Sequence, residues 1–207
     1  ITQATARADS HGLRARSQAI MVGSGTALQD RPRLTVRNAS ATSGHLPTTP
    51  LTPTRVLLDS SGRVTEGPLL DVGTAPTIIF SADGADAGAA EKWAAKGVEV
   101  LTAPKAAGGK PGLELKPVLE QLGSRGVLQL MVEGGAILQG SFLQEGLADE
   151  LHVYIGACML GSTSKRWAQT ELTGTIADAR FWRLLGVEQL GDDVCLKYVR
   201  KPGQRGE

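Results

Sequence analysis

Between residues 55 and 132, short apolar runs alternate with stretches whose apolar residues recur at helical spacing, and few folds accommodate that rhythm. Val56-Leu57-Leu58, Thr77-Ile78-Ile79-Phe80, Val98-Glu99-Val100-Leu101 and residues 127–132 read as strands. Ala89, Ala90, Trp93 and Ala94 fall on one face of a short helix, and Leu115, Val118, Leu119 and Leu122 make a clearer helical stripe. Strands alternating with helices predict an α/β chain with a mostly parallel central sheet, flanked by helices and joined by right-handed crossovers. Upstream, residues 2–16 read as a helix with Leu13 as its one large apolar residue. Residues 18–22 then form a strand that opens into the glycine turn Gly23-Ser24-Gly25-Thr26.

Downstream the period changes to two. Leu151, Val153 and Ile155 alternate with His152 and Tyr154, and Val194, Leu196 and Tyr198 with Cys195 and Lys197; Gly191-Asp192-Asp193 marks a hairpin. Antiparallel C-terminal strands are therefore expected to close the sheet. Residues 38–54, rich in Ser, Thr and Pro, and 105–112 read as exposed connections. The economical organisation is one domain over residues 1–200 and an exposed tail over 201–207.

A chain of 207 residues buries enough surface to fold without a disulfide or metal staple. Lys and Arg (22) balance Asp and Glu (21), so no basic field favours nucleic acid or an anionic membrane. Cys158, Cys195 and the three histidines are scattered, which argues against a zinc site; both cysteines read as small apolar residues and His152 as solvent-facing or satisfied. No apolar run approaches the roughly 18 residues of a membrane span. A soluble protein in a reducing compartment is expected. Without a GxSxG turn, hydrolase chemistry has no support.

Three constellations carry chemistry. The turn at Gly23 to Thr26 suits either an ordinary strand end or a backbone cradle for a phosphate. Residues 1–37 hold six arginines (Arg7, Arg14, Arg16, Arg31, Arg33, Arg37) against two aspartates, which reads either as a solvated helix face or as guanidinium forks for a phosphate monoester. Met131-Val132-Glu133-Gly134-Gly135-Ala136 delivers a carboxylate at the end of a strand, then two glycines, then a helix. Ligands of open α/β sheets bind at such places, although a carboxylate near a helix start is also stabilised by the helix dipole alone.

Taken in order, these segments resemble the reductase domain of riboflavin biosynthesis, the part that follows the deaminase in the bifunctional deaminase-reductase. Leu13 to Thr26 is similar to the family's LRAxxDAILVGxGTV, Asp30 to Arg37 to its DDPxLTVR, and Arg55 to Arg63 (RVLLDSSGR) and Val132 to Ala136 (VEGGA) match further; Ala148-Asp149-Glu150-Leu151 leads through Tyr154 to Leu160-Gly161-Ser162. The resemblance implies a dihydrofolate-reductase-like fold, NADPH as cofactor, and reduction of the ribosyl group of 5-amino-6-(5-phosphoribosylamino)uracil to the ribitylamino product. It also implies a homodimer. Carried over by position, Arg14, Leu34, Arg37 and Glu133 match substrate contacts. Thr26, Asp30, Ser60 and the run Gly135-Ala136-Ile137-Leu138-Gln139-Gly140-Ser141 match cofactor contacts. No side chain stands out as a general acid; Asp30 and Glu133 are the candidate carboxylates, with water as another proton source.

There are departures from the family pattern. The chain starts at Ile1, after the position of a KxAxSLDG-like strand, so a fragment or processed form with an exposed sheet edge and low activity is expected. Arg31 stands where an acidic residue is common, and the HxE and PCxxC signature of a deaminase is absent, although such a domain could precede the chain. Two alternatives follow: a non-catalytic or regulatory subunit that keeps the fold, and a pterin-type reductase, against which the arginines argue. The resemblance places the protein in the cytoplasm, or in the plastid stroma of a photosynthetic eukaryote.

Overall fold

The computed structural model of the chain describes residues 1–37, 52–161, 164, 166–169 and 179–201. The connection expected over 38–54 lies outside these residues up to 51, as does the tail from 202 onward. Helix α1 spans Ala4–Arg16, strand β1 Ala19–Gly23, α2 Ser24–Asp30, β2 Thr54–Leu58, β3 Thr77–Ser81, α3 Ala87–Ala95 and β4 Glu99–Thr102. Then follow α4 Leu115–Ser124, β5 Leu130–Val132, α5 Ala136–Gln144, β6 Glu150–Ile155, β7 Trp182–Leu190 and β8 Asp193–Arg200. The described chain divides into two compact units, one of residues 11–135 and one of residues 1–10 with 136–207.

The unit of residues 11–135 is built on five strands in the order β4-β3-β2-β1-β5, every pair parallel. Both faces of its central strands are buried, as parallel sheets require. Ile20, Val22, Leu57 and Ile79 share one face with Trp93, Ala89 and Leu34 in a single cluster; Met21, Val56 and Phe80, which point the other way, are equally enclosed. One member of the first face is charged. Arg55, fully buried, pairs with Ile20 and Thr77 in register, and its guanidinium donates to the carbonyls of Pro68 (2.9 Å), Asp71 (2.6 Å) and Ala75 (2.7 Å). It thereby ties down the loop over 67–76. Burial lowers its pKa, with the Asp71 charge opposing.

In the other unit β6, β8 and β7 form a separate antiparallel sheet in that order, paired as strands only with one another among the described residues. The expectation that these strands close the parallel sheet is thus corrected. Gly191, at φ +74, turns the β7–β8 hairpin where the sequence placed it. Beneath this sheet Tyr154 donates its hydroxyl to the buried Asp9 carboxylate (2.6 Å), and buried Cys195 lies in the same cluster as Ala6 and Leu190. Burial, reinforced by Asp9, pushes the Tyr154 phenol up.

Three local readings also need correction. Gly23 to Thr26 is not a free turn: β1 runs into α2 with Gly23 as the capping residue, so Gly25 and Thr26 sit in the first helical turn. Of the α3 stripe only Ala89 and Trp93 are buried, while Ala90 and Ala94 face solvent, because one narrow stripe is enough for a nine-residue helix. Cys158 is exposed, unlike Cys195.

Candidate functional site

The parallel strands of residues 11–135 all end on one side of their sheet, and β1, β2 and β5 are neighbours there. Glu133 follows β5 directly, and its amide extends the ladder to the Met21 carbonyl (2.9 Å). Gly134 and Gly135 come next at φ +76 and +84, backbone that an L side chain rarely adopts. A Cβ added at Gly134 would lie 3.8 Å from the Thr26 methyl, so α2 and the glycine pair are adjacent.

Arg14 reaches Glu133 from the last turn of α1. Its Nε donates to Oε2 at 2.6 Å and its Nη2 donates to Oε1, a bidentate fork that residues 119 positions apart could form only in the finished sheet. The remaining arm, Nη1, donates to the Thr35 carbonyl at 2.8 Å. Thr35 is held in place by its neighbour: Leu34 is buried at φ +51, an unfavourable conformation for a branched side chain that the surrounding core enforces. That reversal aims the 34–37 segment back at α1, and the Arg37 amide donates to Nδ1 of His11 (3.0 Å). Arg14, Leu34, Arg37 and Glu133, the four predicted substrate residues, are therefore one cluster. His11 and Thr35 belong to it too and were missed. The spacing of His11 three residues before Arg14 on one helix was the available signal.

Electrostatically the cluster is cationic. Arg14 is neutralised by Glu133 while Arg37 is exposed. The His11 imidazole is held below its ordinary pKa by burial first and then by Arg14 and Arg37, with Glu133 and the Thr35 carbonyl opposing.

The predicted cofactor residues divide between the two units. Ser60 sits in a loop fixed from several sides: Asp59 Oδ2 accepts from the Val64 amide (2.7 Å), Trp93 Nε1 donates to the Val64 carbonyl (2.7 Å), and a Cβ on Gly62 would meet the Ala89 Cβ at 2.9 Å. Arg63 joins this loop to α2 by donating to Ser24 Oγ (2.7 Å). Asp30 is exposed at the end of α2, and Arg31 beside it pairs with Glu66 (3.1 Å). Gly135 closes this unit.

Ala136 to Ser141 lie on α5 in the other unit. There Leu138 is buried, Ile137 and Gln139 are less enclosed, and Ser141 Oγ donates back to the Ile137 carbonyl (3.1 Å). Gly140 is pressed on the Gln169 backbone, whose carbonyl a Cβ would overlap at 1.8 Å. Glycine there is explained by the chain's own close approach. Among the described residues, no group of three or more His, Cys, Asp or Glu is placed to hold a metal ion, and no helix is long and apolar enough to cross a membrane.

Comparisons with known proteins identify the relatives of the chain. The model of the RibD C-terminal domain matches residues 1–196. The riboflavin biosynthesis protein RibD of Bacillus amyloliquefaciens is 33% identical over 212 residues, covering 100% of this chain and 53% of that protein. The 2,5-diamino-6-ribosylamino-4(3H)-pyrimidinone 5′-phosphate reductase of Methanothermobacter thermautotrophicus is 34% identical over 192 residues, covering 92% of this chain and 83% of the relative. A solved structure of Acinetobacter baumannii RibD superposes with a TM-score of 0.78 at 28% identity, covering 97% of this chain and 52% of that one. The chain spans about half the length of the RibD relatives it matches.

Proposed function

The chain belongs to the RibD C-terminal domain family, and from that premise we propose that residues 1–200 act as one reductase domain that reduces the ribosyl group of 5-amino-6-(5-phosphoribosylamino)uracil with NADPH. The observation that carries the reading is the Arg14–Glu133 fork beside Arg37 at the carboxyl edge of β1 and β5. A phosphorylated ribosylaminopyrimidine offers what such a cluster binds: a dianion for the guanidinium groups, and hydroxyl or N–H donors for Glu133. The archaeal relative's name specifies a 5′-phosphate substrate of that class. A pterin without a phosphate would leave Arg37 unused.

The residues present suit a nicotinamide dinucleotide. Among the described residues Asp59 Oδ1 is buried without a hydrogen-bond partner next to Ser60, and Gly134 and Gly135 leave bare backbone beside Thr26 at the ligand edge of the sheet. Thr26, Asp30, Ser60 and Gly135 would hold it, and when bound it supplies the hydride that reduces C1′ of the opened sugar. The chain's own part is positional. Arg14 and Arg37 fix the phosphate end, Glu133 orients Arg14 and a substrate hydroxyl, and Leu34 sets the direction of the segment that carries Arg37. With both oxygens engaged by Arg14, Glu133 acts as an acceptor, and Asp30 is exposed at the far end of α2; water is the proton source in this reading.

The test is fluorescence titration with NADPH and NADH, followed by NADPH oxidation in the presence of the phosphoribosylaminouracil. NADPH binding and substrate-dependent oxidation at a low rate are expected. Binding of neither nucleotide would leave a regulatory or non-catalytic role for the fold.

The homodimer is supported by β7, which exposes Leu184, Leu185 and Val187 on one sheet around an irregularity between Leu184 and Gly186. Leu185→Asp with Val187→Asp is expected to halve the mass seen by light scattering. A wild-type chain that is already monomeric would refute the dimer.

A further inference from the structure

The His11 side chain has no part in the reading above, yet it touches the one segment that presents Arg37. A backbone N–H can only donate, so the Arg37 amide at 3.0 Å makes Nδ1 of His11 an acceptor, and the ring must then be neutral with its proton on Nε2. His11 and Arg14 thus hold the same four-residue segment at two successive points, one through the Arg37 amide and the other through the Thr35 carbonyl. We infer that His11 is a positioning residue for the anion clamp, holding Arg37 through its neutral imidazole and releasing it when the ring is protonated. The inference rests on the phosphate-binding role proposed for Arg14 and Arg37.

The charges around the ring decide the direction. Arg14 on α1 and Arg37 on the opposing segment are cationic, Glu133 after β5 is the facing anion and is already engaged by Arg14, and the Thr35 carbonyl is the facing dipole. A proton on Nδ1 would remove the acceptor and add a third positive charge to that set. The neutral form is therefore the one the fold favours. Its contribution is intact above the ordinary imidazole value of about 6.5 and is lost as pH falls through the lowered value of the folded protein.

The test compares wild type with His11→Asn, whose amide oxygen replaces Nδ1 as acceptor but does not titrate, and with His11→Leu, which lacks the acceptor. In isotope-labelled wild type, without ligand, the Arg37 amide resonance is expected to titrate in step with the His11 ring nitrogens, at a midpoint below about 6.5; in His11→Asn it stays flat. Ribose 5-phosphate is the ligand probe. At pH 7.5, His11→Leu is expected to weaken it about fivefold, the effect of one hydrogen bond, and His11→Asn to stay within about twofold of wild type.

The phosphate itself ionises near pH 6, so the readout in acid is the ratio of the two affinities, and wild type is expected to lose ground to His11→Asn. An Arg37 amide that ignores the His11 titration overturns the inference. So does a wild type that gains on His11→Asn in acid, which would make His11 a direct cationic ligand. If the amide titrates as expected but ribose 5-phosphate binds to none of the three proteins, the His11–Arg37 coupling stands and the phosphate reading falls.

Discussion

Arg14→Ala lowers kcat/KM for the phosphorylated substrate by about 100-fold or more, which corresponds to roughly 3 kcal/mol, the cost of truncating one partner of an enclosed, hydrogen-bonded charge pair. The estimate follows from what the change removes. The fork to Glu133 and the bond to the Thr35 carbonyl vanish together, leaving a carboxylate that is 28% exposed without its counter-charge in a site proposed to receive an anion. Arg14→Lys should recover little, because one ammonium cannot reproduce two parallel bonds and a third to Thr35. Combined with Glu133→Ala, the loss should be clearly smaller than the sum of the two single losses, since both act through one pair. Steady-state kinetics on variants with wild-type circular dichroism reads this directly, and an unchanged kcat/KM in Arg14→Ala would remove the cluster from the substrate site.

Arg55→Met destabilises the protein by about 4 kcal/mol without touching the site, because three carbonyls, one buried and two partly buried, lose their donor at once and each group left unsatisfied costs about 1–3 kcal/mol. The loss stays below the upper sum because the guanidinium's own desolvation is relieved in the variant. Urea unfolding should show the midpoint falling with an unchanged slope, and thermal unfolding a drop of very roughly 10 °C for a chain of this size. Arg55→Lys should lie between, its ammonium being too compact to serve Pro68, Asp71 and Ala75 together. A shift of less than about 1 kcal/mol would mean that water replaces the guanidinium and that the 67–76 loop is held by other bonds.

Periodicity carried most of the fold. Apolar runs such as Val56 to Leu58 and the stripe Leu115, Val118 and Leu122 appear as β2 and α4, and Glu133 and two glycines follow a strand as read. Periodicity reports which face is buried and says nothing of what a strand pairs with. The alternation in β6 and β8 was therefore plain, while their separation into a second sheet was not. Composition misled at Gly23 to Thr26, where glycines suggested a turn although the chain passes directly into a helix. In the site, Arg14 and Glu133 were named singly from a resemblance, but no spacing in the sequence joins residues 14 and 133; the parallel pairing of β1 with β5 does that. His11 escaped although it stands three residues before Arg14 on one helix, because its meaning comes from the reversal at Leu34, which that spacing does not show.

Strand β5 is three residues long and lies at one end of its sheet, so only three register pairs with β1 hold Glu133 at the site. Fraying of so short a border strand is a low-cost opening of this unit, and each such event would carry the carboxylate away from Arg14. The ion pair is thus also the hem of the sheet. Whatever binds across Arg14 and Glu133 stitches that hem, and by linkage the border's resistance to fraying and the tenacity of the ligand rise or fall as one quantity.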